Sequence, residues 1–291
     1  MKFWQMLTWM EPDQILEVAR FAEEVGFEGV MLGDHGVFPR EVKAPYPYSK
    51  DGKPPMAPDS WYPDCWATIG AISAVTRRIR FAVSVYVLPL RNVFEVARAT
   101  GTLALLSDNR FILGAGIGWM KDEFEIYGVD FHTRGKRFDE MIDVLRKLWA
   151  GGMVEHHGAQ FDFPALQISP APTRTVPIFT GGSSPVALRR AALKADGWIG
   201  AGNTPEEVPA LLAEFTRMRH EAGRGQVPFE TVIGLSAPPD LATFQRLRAA
   251  GMSGGVSYPF MYTVGKHSSL DAKKRAMEDF AKRYIRPMAA G

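Results

Sequence analysis

Two glycine-rich turns hold residue types whose spacing could do chemistry. The first is the run Phe111-Ile-Leu-Gly-Ala-Gly-Ile-Gly-Trp119, in which apolar residues lead into glycines at alternate positions. Such a run predicts a buried strand that opens into a loop, and the alternative is a tight turn after a core strand. The glycines would let the backbone approach a flat or anionic ligand, and the Trp119 ring could stack on a planar one. The candidate ligand contacts are Ala115, Gly116, Ile117, Gly118 and Trp119.

The second turn runs directly into a predicted helix. Gly181, Gly182, Ser183 and Ser184 precede Pro185, a residue that suits the first turn of a helix. Free backbone N–H groups at a helix N-terminus, with hydroxyls beside them, form an anion site, and phosphate is the occupant we expect. The alternative is a serine-capped helix after a glycine turn.

One histidine is placed where it could handle a proton. His35 follows Asp34 after a predicted strand, and an imidazole titrates near neutrality, so it could donate to or accept from a ligand. The alternative is a histidine that only fills space. Asp122 and Glu123 follow the first glycine turn, but acids are common in the first turn of a helix because of the helix dipole, so we assign them no role.

Composition excludes several other classes of function. The chain has 291 residues, a net charge of +2 and no basic run, so no nucleic-acid partner is indicated. No apolar stretch approaches membrane-spanning length, and the N-terminus lacks the apolar centre of a signal peptide, so we expect a cytoplasmic protein without a membrane partner. The single cysteine, Cys65, and the absence of a His-x-His pair on a strand argue against a metal site. A small molecule is the expected ligand.

Strand and helix patterns alternate along the whole chain. The predicted strands are 2–6, 29–32, 79–85, 111–113, 176–180, 198–200, 231–235 and 255–258. The predicted helices are 12–25, 64–76, 93–106, 135–150, 185–195, 205–222, 240–250 and 269–285. Eight strand–helix units predict a (β/α)8 TIM barrel, formed by residues 1–291 as one domain. A doubly wound open sheet is the alternative.

The barrel places the candidate residues together. In this fold, functional residues lie at the carboxyl ends of the strands, and both glycine turns and His35 follow strands. Segments 36–63 and 151–175 have no clear period and are too long for simple connections. Long loops in compact domains are usually lids or binding loops, so we expect insertion loops at the C-terminal mouth.

Five motifs and their order along the chain resemble those of the bacterial luciferase-like family of flavin and deazaflavin (coenzyme F420) oxidoreductases. The resemblance covers residues 1 to about 220 and is weak beyond them. The motifs are Val75-Thr-Arg-Arg-Ile-Arg-Phe81, residues 103–119, Arg134-Gly-Lys-Arg-Phe-Asp-Glu140, Pro177-Ile-Phe-Thr-Gly-Gly-Ser-Ser184 and Ala195-Asp-Gly-Trp198.

The resemblance implies a TIM-type barrel with a long insertion near strand 5 or 7. In F420-dependent members a non-proline cis peptide near the end of strand 3 backs the central ring of the cofactor, and the matching residues are Ser84 and Val85. The Asp-His pair of sugar-phosphate dehydrogenase relatives matches Asp34 and His35, with the histidine near the reactive ring face. Their glutamate after the strand-4 glycines is replaced by Trp119, and their phosphate-binding cations lack counterparts, so sugar-phosphate oxidation is not expected.

The function we expect is hydride transfer between F420 and a small organic substrate. His35 would be the catalytic residue, as the protic group nearest the ring. One alternative keeps the family but uses reduced FMN and oxygen, which makes the protein a monooxygenase. Another is a barrel that binds a flavin without catalysis. Since family members often dimerise through helices beside the barrel, the resemblance also implies a homodimer.

Overall fold

Eight parallel strands form a closed barrel in the computed structural model, which describes residues 1–49 and 51–290. The strands are β1 (Lys2–Met6), β2 (Gly29–Leu32), β3 (Arg80–Val83), β4 (Phe111–Gly116), β5 (Ile178–Gly181), β6 (Gly197–Asn203), β7 (Glu230–Leu235) and β8 (Gly254–Val256). Each strand pairs in parallel with the next, and β8 pairs with β1 to close the ring. The predicted (β/α)8 barrel is therefore confirmed, and the open sheet is wrong.

Helices surround the barrel and alternate with its strands. They are α1 (Ile15–Val25), α2 (Cys65–Val75), α3 (Val93–Leu106), α4 (Lys121–Ile126), α5 (Arg134–Trp149), α6 (Pro185–Lys194), α7 (Val208–Glu221), α8 (Leu241–Ala249), α9 (Phe260–Thr263), α10 (Leu270–Phe280) and α11 (Arg286–Ala290). Within the described ranges, no helix combines the length and apolarity needed to cross a bilayer.

The predicted element bounds differ from the structure most where the chain approaches the barrel mouth. The strand predicted over 79–85 ends at Val83, and a separate short strand, Tyr86–Val87, pairs with the end of β4. The peptide bond between Ser84 and Val85 is cis, as the family resemblance implied. The strand β4 continues to Gly116, three residues beyond the predicted end, and the short helix α4 was not predicted.

Packed side chains fill the barrel interior, and we call them the interior layer. Seven strands each contribute one buried residue, and Val256 of β8 packs against them. The seven are Trp4, Met31, Ala82, Ile112, Phe179, Ile199 and Val232. The Trp4 ring lies over Gly29 so closely that a Cβ there would meet it at 2.1 Å, so Gly29 is required by its neighbour on β1. This layer separates the two ends of the barrel.

Charged side chains close the amino end of the barrel, which we call the base. The Arg80 guanidinium donates to both Glu230 carboxylate oxygens at 3.0 Å and to Glu28 at 3.2 Å. Lys2 pairs with Glu28 at 2.9 Å. Burial works to lower the pKa of Arg80, but the two carboxylates outweigh it and raise that pKa. The base is thus tied together by ion pairs between strand beginnings.

The two long segments behave differently from each other. Segment 36–63, of which Lys50 lies outside the described residues, has no helix or strand and reaches over the carboxyl ends of the strands. Segment 151–175 instead contains an antiparallel hairpin, Val154–His157 with Asp162–Leu166. Glu140 of α5 accepts the backbone N–H groups of Gln160 and Phe161 at 2.8–3.1 Å, which fixes the hairpin turn to the helix layer. Only segment 36–63 folds over the mouth as expected.

Candidate functional site

One cavity of about 570 Å³ opens at the carboxyl ends of the strands, and both glycine turns line it. This is a typical size for a small-molecule or cofactor site. The sequence-predicted residues that line it are Asp34, His35, Ser84, Val85, Gly116, Ile117, Gly118, Trp119, Gly181, Gly182, Ser183 and Ser184. Residues far apart in the chain are therefore brought to one site.

Ala115 is the exception among the predicted contacts. It is fully buried and packs in the main core, between the barrel and the helices. Neighbouring residues of a strand point to opposite faces, so Ala115 faces the helices while Ile112 faces the barrel interior. The side chain of Ala115 therefore does not line the cavity, and its contact with a cofactor stays a prediction.

The glycines at the cavity floor make room for a side chain. A Cβ on Gly116 would come within 2.4 Å of Val85 Cγ2, and one on Gly181 within 2.9 Å of Val85 Cγ1. The two turns thus pack against the methyl groups of Val85, and Val85 itself lines the cavity. The floor presented to a ligand is consequently an isopropyl group flanked by bare backbone, a surface suited to one face of a flat ring.

The turn 181–184 lines the cavity and leads directly into the N-terminus of α6. Gly182 has a φ of +105°, a conformation that favours glycine. Its carbonyl accepts the indole N–H of Trp198 at 3.0 Å, which fixes the turn to β6. Ser184 caps α6 by accepting the Ala187 N–H at 3.2 Å. The serine-cap alternative is therefore confirmed, and the capped helix directs its positive end to the cavity. An anion at this turn stays a prediction.

Arg134 adds a positive charge that the sequence analysis did not assign to the site. Its side chain lines the cavity and donates to the carbonyls of Gly118 at 3.3 Å and Phe131 at 2.8 Å. No carboxylate of the described residues forms an ion pair with it, and burial lowers the pKa of Arg134 without an opposing charge. A guanidinium held by carbonyls and lacking a counter-ion is suited to an anionic ligand.

Asp34 is engaged by the protein itself. Its carboxylate accepts from Arg91 Nη2 at 2.8 and 2.9 Å and from the backbone N–H of Val87 at 2.9 Å. Burial raises the pKa of the Asp34 carboxyl, while the Arg91 charge and the Val87 N–H oppose the rise. These contacts tie the end of β2 to the strand that follows Val85. Asp34 thus positions the cavity floor, and its direct contact with a cofactor stays a prediction.

His35 forms a buried pair with Glu123. Nδ1 lies 3.1 Å from Glu123 Oε2, and Oε1 of the same carboxylate accepts the Gly36 N–H at 2.7 Å. The two side chains are 8% and 1% exposed. An ionised carboxylate can only accept, so Nδ1 donates to it and Nε2 is the ring nitrogen left for another partner. Across residues 1–49 and 51–290 no group hydrogen-bonds to Nε2, which leaves that nitrogen for a ligand.

The structure changes the interpretation of the two acids after the first glycine turn. Glu123 fixes the orientation of His35, and Asp122 accepts the backbone N–H groups of Lys43 and Ala44 at 3.0–3.2 Å. Asp122 therefore anchors segment 36–63 to α4. Both acids lie in the first turn of the short helix α4, where the helix dipole favours them, but they also make tertiary contacts that no local pattern signals.

The chain is similar to known proteins in sequence and in fold. The sequence profile of the family described as luciferase-like monooxygenase matches residues 2–242. An uncharacterized protein of Mycobacterium tuberculosis is 37% identical over 273 residues, which are 93% of this chain and 94% of that protein. The F420-dependent glucose-6-phosphate dehydrogenase of Microbacterium testaceum is 29% identical over 237 residues, 79% of this chain and 66% of the relative.

Two solved structures share the fold over nearly the full length. The monooxygenase RslO1 from Streptomyces bottropensis superposes with a TM-score of 0.79 at 18% identity, covering 99% of this chain and 100% of the other. An F420-dependent secondary alcohol dehydrogenase in complex with an F420-acetone adduct gives 0.75 at 17% identity, covering 98% of each. At these identities the likeness shows the fold.

Proposed function

Because this chain belongs to the luciferase-like monooxygenase family, we propose that it is an F420-dependent oxidoreductase that transfers a hydride between the deazaflavin and a small organic substrate. The observation that carries the proposal is the meeting of both glycine turns and His35 in one cavity. The relatives that favour F420 over FMN are dehydrogenases named as F420-dependent, at 29% identity.

The cavity fits a phosphorylated tricyclic cofactor in two respects. The turn 181–184 and the guanidinium of Arg134, which pairs with no carboxylate of the described residues, are suited to a phosphate. The floor at Val85, flanked by Gly116 and Gly181, is suited to one face of the ring. When bound there, F420 supplies or accepts the hydride, and the protein supplies orientation and electrostatics.

The residues of the chain perform the remaining tasks. Glu123 holds His35 with Nε2 towards the cavity, where it can take or give the proton that accompanies hydride transfer. Segment 36–63, anchored through Asp122, restricts access of water to the site. Asp34 and Arg91 keep the backbone beside Val85 in place.

A paired titration tests the choice of cofactor. Purified apoprotein is titrated with F420 and with FMN while the fluorescence of each cofactor is followed. We expect F420 to bind at least about tenfold more tightly, a difference of about 1.4 kcal/mol. Tighter binding of FMN would favour the monooxygenase alternative, and binding without turnover of reduced F420 would favour the non-catalytic barrel.

The same titration tests the anion site. We expect Arg134→Met to weaken binding of either cofactor by about tenfold or more, because a charge-assisted hydrogen bond is lost. The matched control is Lys136→Met, which removes an exposed charge from the same helix outside the cavity. Equal affinities of both variants and the parent protein would contradict a phosphate site at Arg134.

A further inference from the structure

Six aromatic rings form a continuous edge-to-face chain around the outer part of the cavity, which we call the aromatic box. Neighbouring ring centroids are 5.0–6.3 Å apart and their planes are inclined by 63–89°. In order along the chain the rings are Trp9, Tyr62, His35, Trp119, Tyr46 and Tyr48, and all six line the cavity.

The box is assembled from separate parts of the chain. Trp9 follows β1, Tyr46, Tyr48 and Tyr62 belong to segment 36–63, and Trp119 ends the first glycine turn. Trp9 has a φ of +63°, a left-handed conformation that bulky residues rarely adopt. Strained residues of this kind cluster at ligand sites, where surrounding contacts hold them in place.

Apart from the His35 imidazole, the aromatic box contains no ionised side chain that lacks a partner. The acids beside it are already engaged, Asp34 by Arg91 and Glu123 by His35. Burial raises the pKa of Tyr46 to about 12 and also raises the pKa of Tyr62, so both hydroxyls stay neutral. Among the described residues that line the cavity, Arg134 is the single Arg or Lys, and the proposed function assigns it to the cofactor.

From this chemistry we propose that the substrate is an uncharged, flat, conjugated carbonyl compound whose ring system packs inside the aromatic box. The proposal rests on the proposed function, since the carbonyl would face the cofactor and Nε2 of His35. Aromatic rings that line a cavity favour an aromatic or conjugated partner, which can stack on them or meet them edge to face. A charged group in the box would lose its hydration without gaining a counter-ion, so charged analogues are disfavoured.

Three para-substituted acetophenones that differ in charge test the substrate class. They are 4-methylacetophenone, 4-acetylbenzoate and 4-acetylphenyl-trimethylammonium. Binding is measured by calorimetry on protein saturated with F420, and by quenching of tryptophan fluorescence without cofactor. We expect the neutral ketone to bind at least about tenfold more tightly than either ion. Preference for the anion or the cation, or no discrimination, would overturn the proposal.

Variants locate the binding and separate the two proposals. We expect Trp119→Leu and Tyr46→Leu each to weaken binding of the neutral probe by about tenfold. The control is Trp61→Leu: Trp61 belongs to segment 36–63, as Tyr46 does, but does not line the cavity, so binding should stay unchanged. Equal effects of all three would contradict the box. If F420 fails to bind while the neutral probe still binds the apoprotein selectively, the proposed function fails and the aromatic box stands. If F420 binds but the three probes then bind the F420-loaded protein equally well, the proposed substrate class fails and the proposed function stands.

Discussion

The two ends of the barrel use the same kinds of charged side chain for different purposes. At the base, Arg80 forms ion pairs with Glu230 and Glu28, so each of these charges has a partner of opposite sign from another part of the chain. At the mouth, the pair of His35 with Glu123 satisfies one ring nitrogen and leaves the other for a ligand. The ion pairs of the base are complete in themselves, whereas the pair at the mouth leaves one hydrogen-bonding atom unused.

This difference separates stability from chemistry along the barrel axis. The interior layer, from Trp4 to Val256, is packed between the two ends. Barrel enzymes in general place function at the carboxyl ends of their strands. Substitutions at the base should therefore change unfolding, and substitutions at the mouth should change turnover.

The largest effect is expected at His35. Replacing it with alanine should lower turnover with F420 by at least about 100-fold, because a positioned acid or base typically contributes that much. Cofactor affinity should stay within a few-fold. The control is His157→Ala, because the His157 side chain is 67% exposed and pairs with Asp162 on the hairpin, away from the cavity. Unchanged turnover of the His35 variant would remove it from the reaction.

A smaller effect is expected at Glu123, which acts through His35. Glu123→Gln should lower kcat by about tenfold, because Nδ1 loses a charged acceptor and the ring loses its fixed orientation. KM should change little, since Glu123 does not line the cavity. Glu125→Gln, an exposed position of the same short helix, serves as the control. A rise in KM at constant kcat would argue for a structural role only.

At the base we expect the reverse pattern. Arg80→Met should lower the free energy of unfolding by about 1–3 kcal/mol, because charge-assisted hydrogen bonds to two carboxylates are lost. Its kcat should match that of the parent protein. Urea denaturation and turnover are measured together, with Arg78→Met as an exposed neighbouring control. Loss of turnover in a stable Arg80 variant would contradict the separation of the two ends.

The smallest effect concerns Glu23, which accepts backbone N–H groups from Arg78 at 2.6 Å and Ile79 at 2.8 Å. Partial burial raises its pKa, but these donors outweigh it and the pKa falls below the ordinary 4.5. A lowered carboxyl pKa gives stability that is present above pH 4.5 and is lost as pH falls through the folded value. Glu23→Gln should therefore cost at most about 1 kcal/mol at pH 7 and less in acid. A constant difference across pH would exclude this linkage.

The barrel was predictable because its signals are local. Apolar runs ending in glycine, such as 111–116, mark strands, and periodic helices such as Val93–Leu106 have the predicted bounds. The alternation of side chains along β4 also predicts the direction of Ala115. Residues 112, 114 and 116 share one face of the strand, so Ala115 faces away from the barrel interior.

The contacts of Glu123 and Arg134 could not be read from the sequence. Glu123 looks like an acid that favours a helix N-terminus, and only the packing of Gly36 and His35 against α4 gives it another role. Arg134 looks like an ordinary first-turn arginine of α5, and its lack of a carboxylate partner is a property of the folded surroundings. Both depend on segments that are distant in the chain.

A crystal structure of the complex with F420 tests the central claim most directly. We predict that the phosphate lies within hydrogen-bonding distance of the turn 181–184 and Arg134, that the ring lies against Val85, and that Nε2 of His35 faces the open side of the ring. A cofactor bound elsewhere on the protein, or with its phosphate away from both glycine turns, would contradict the account.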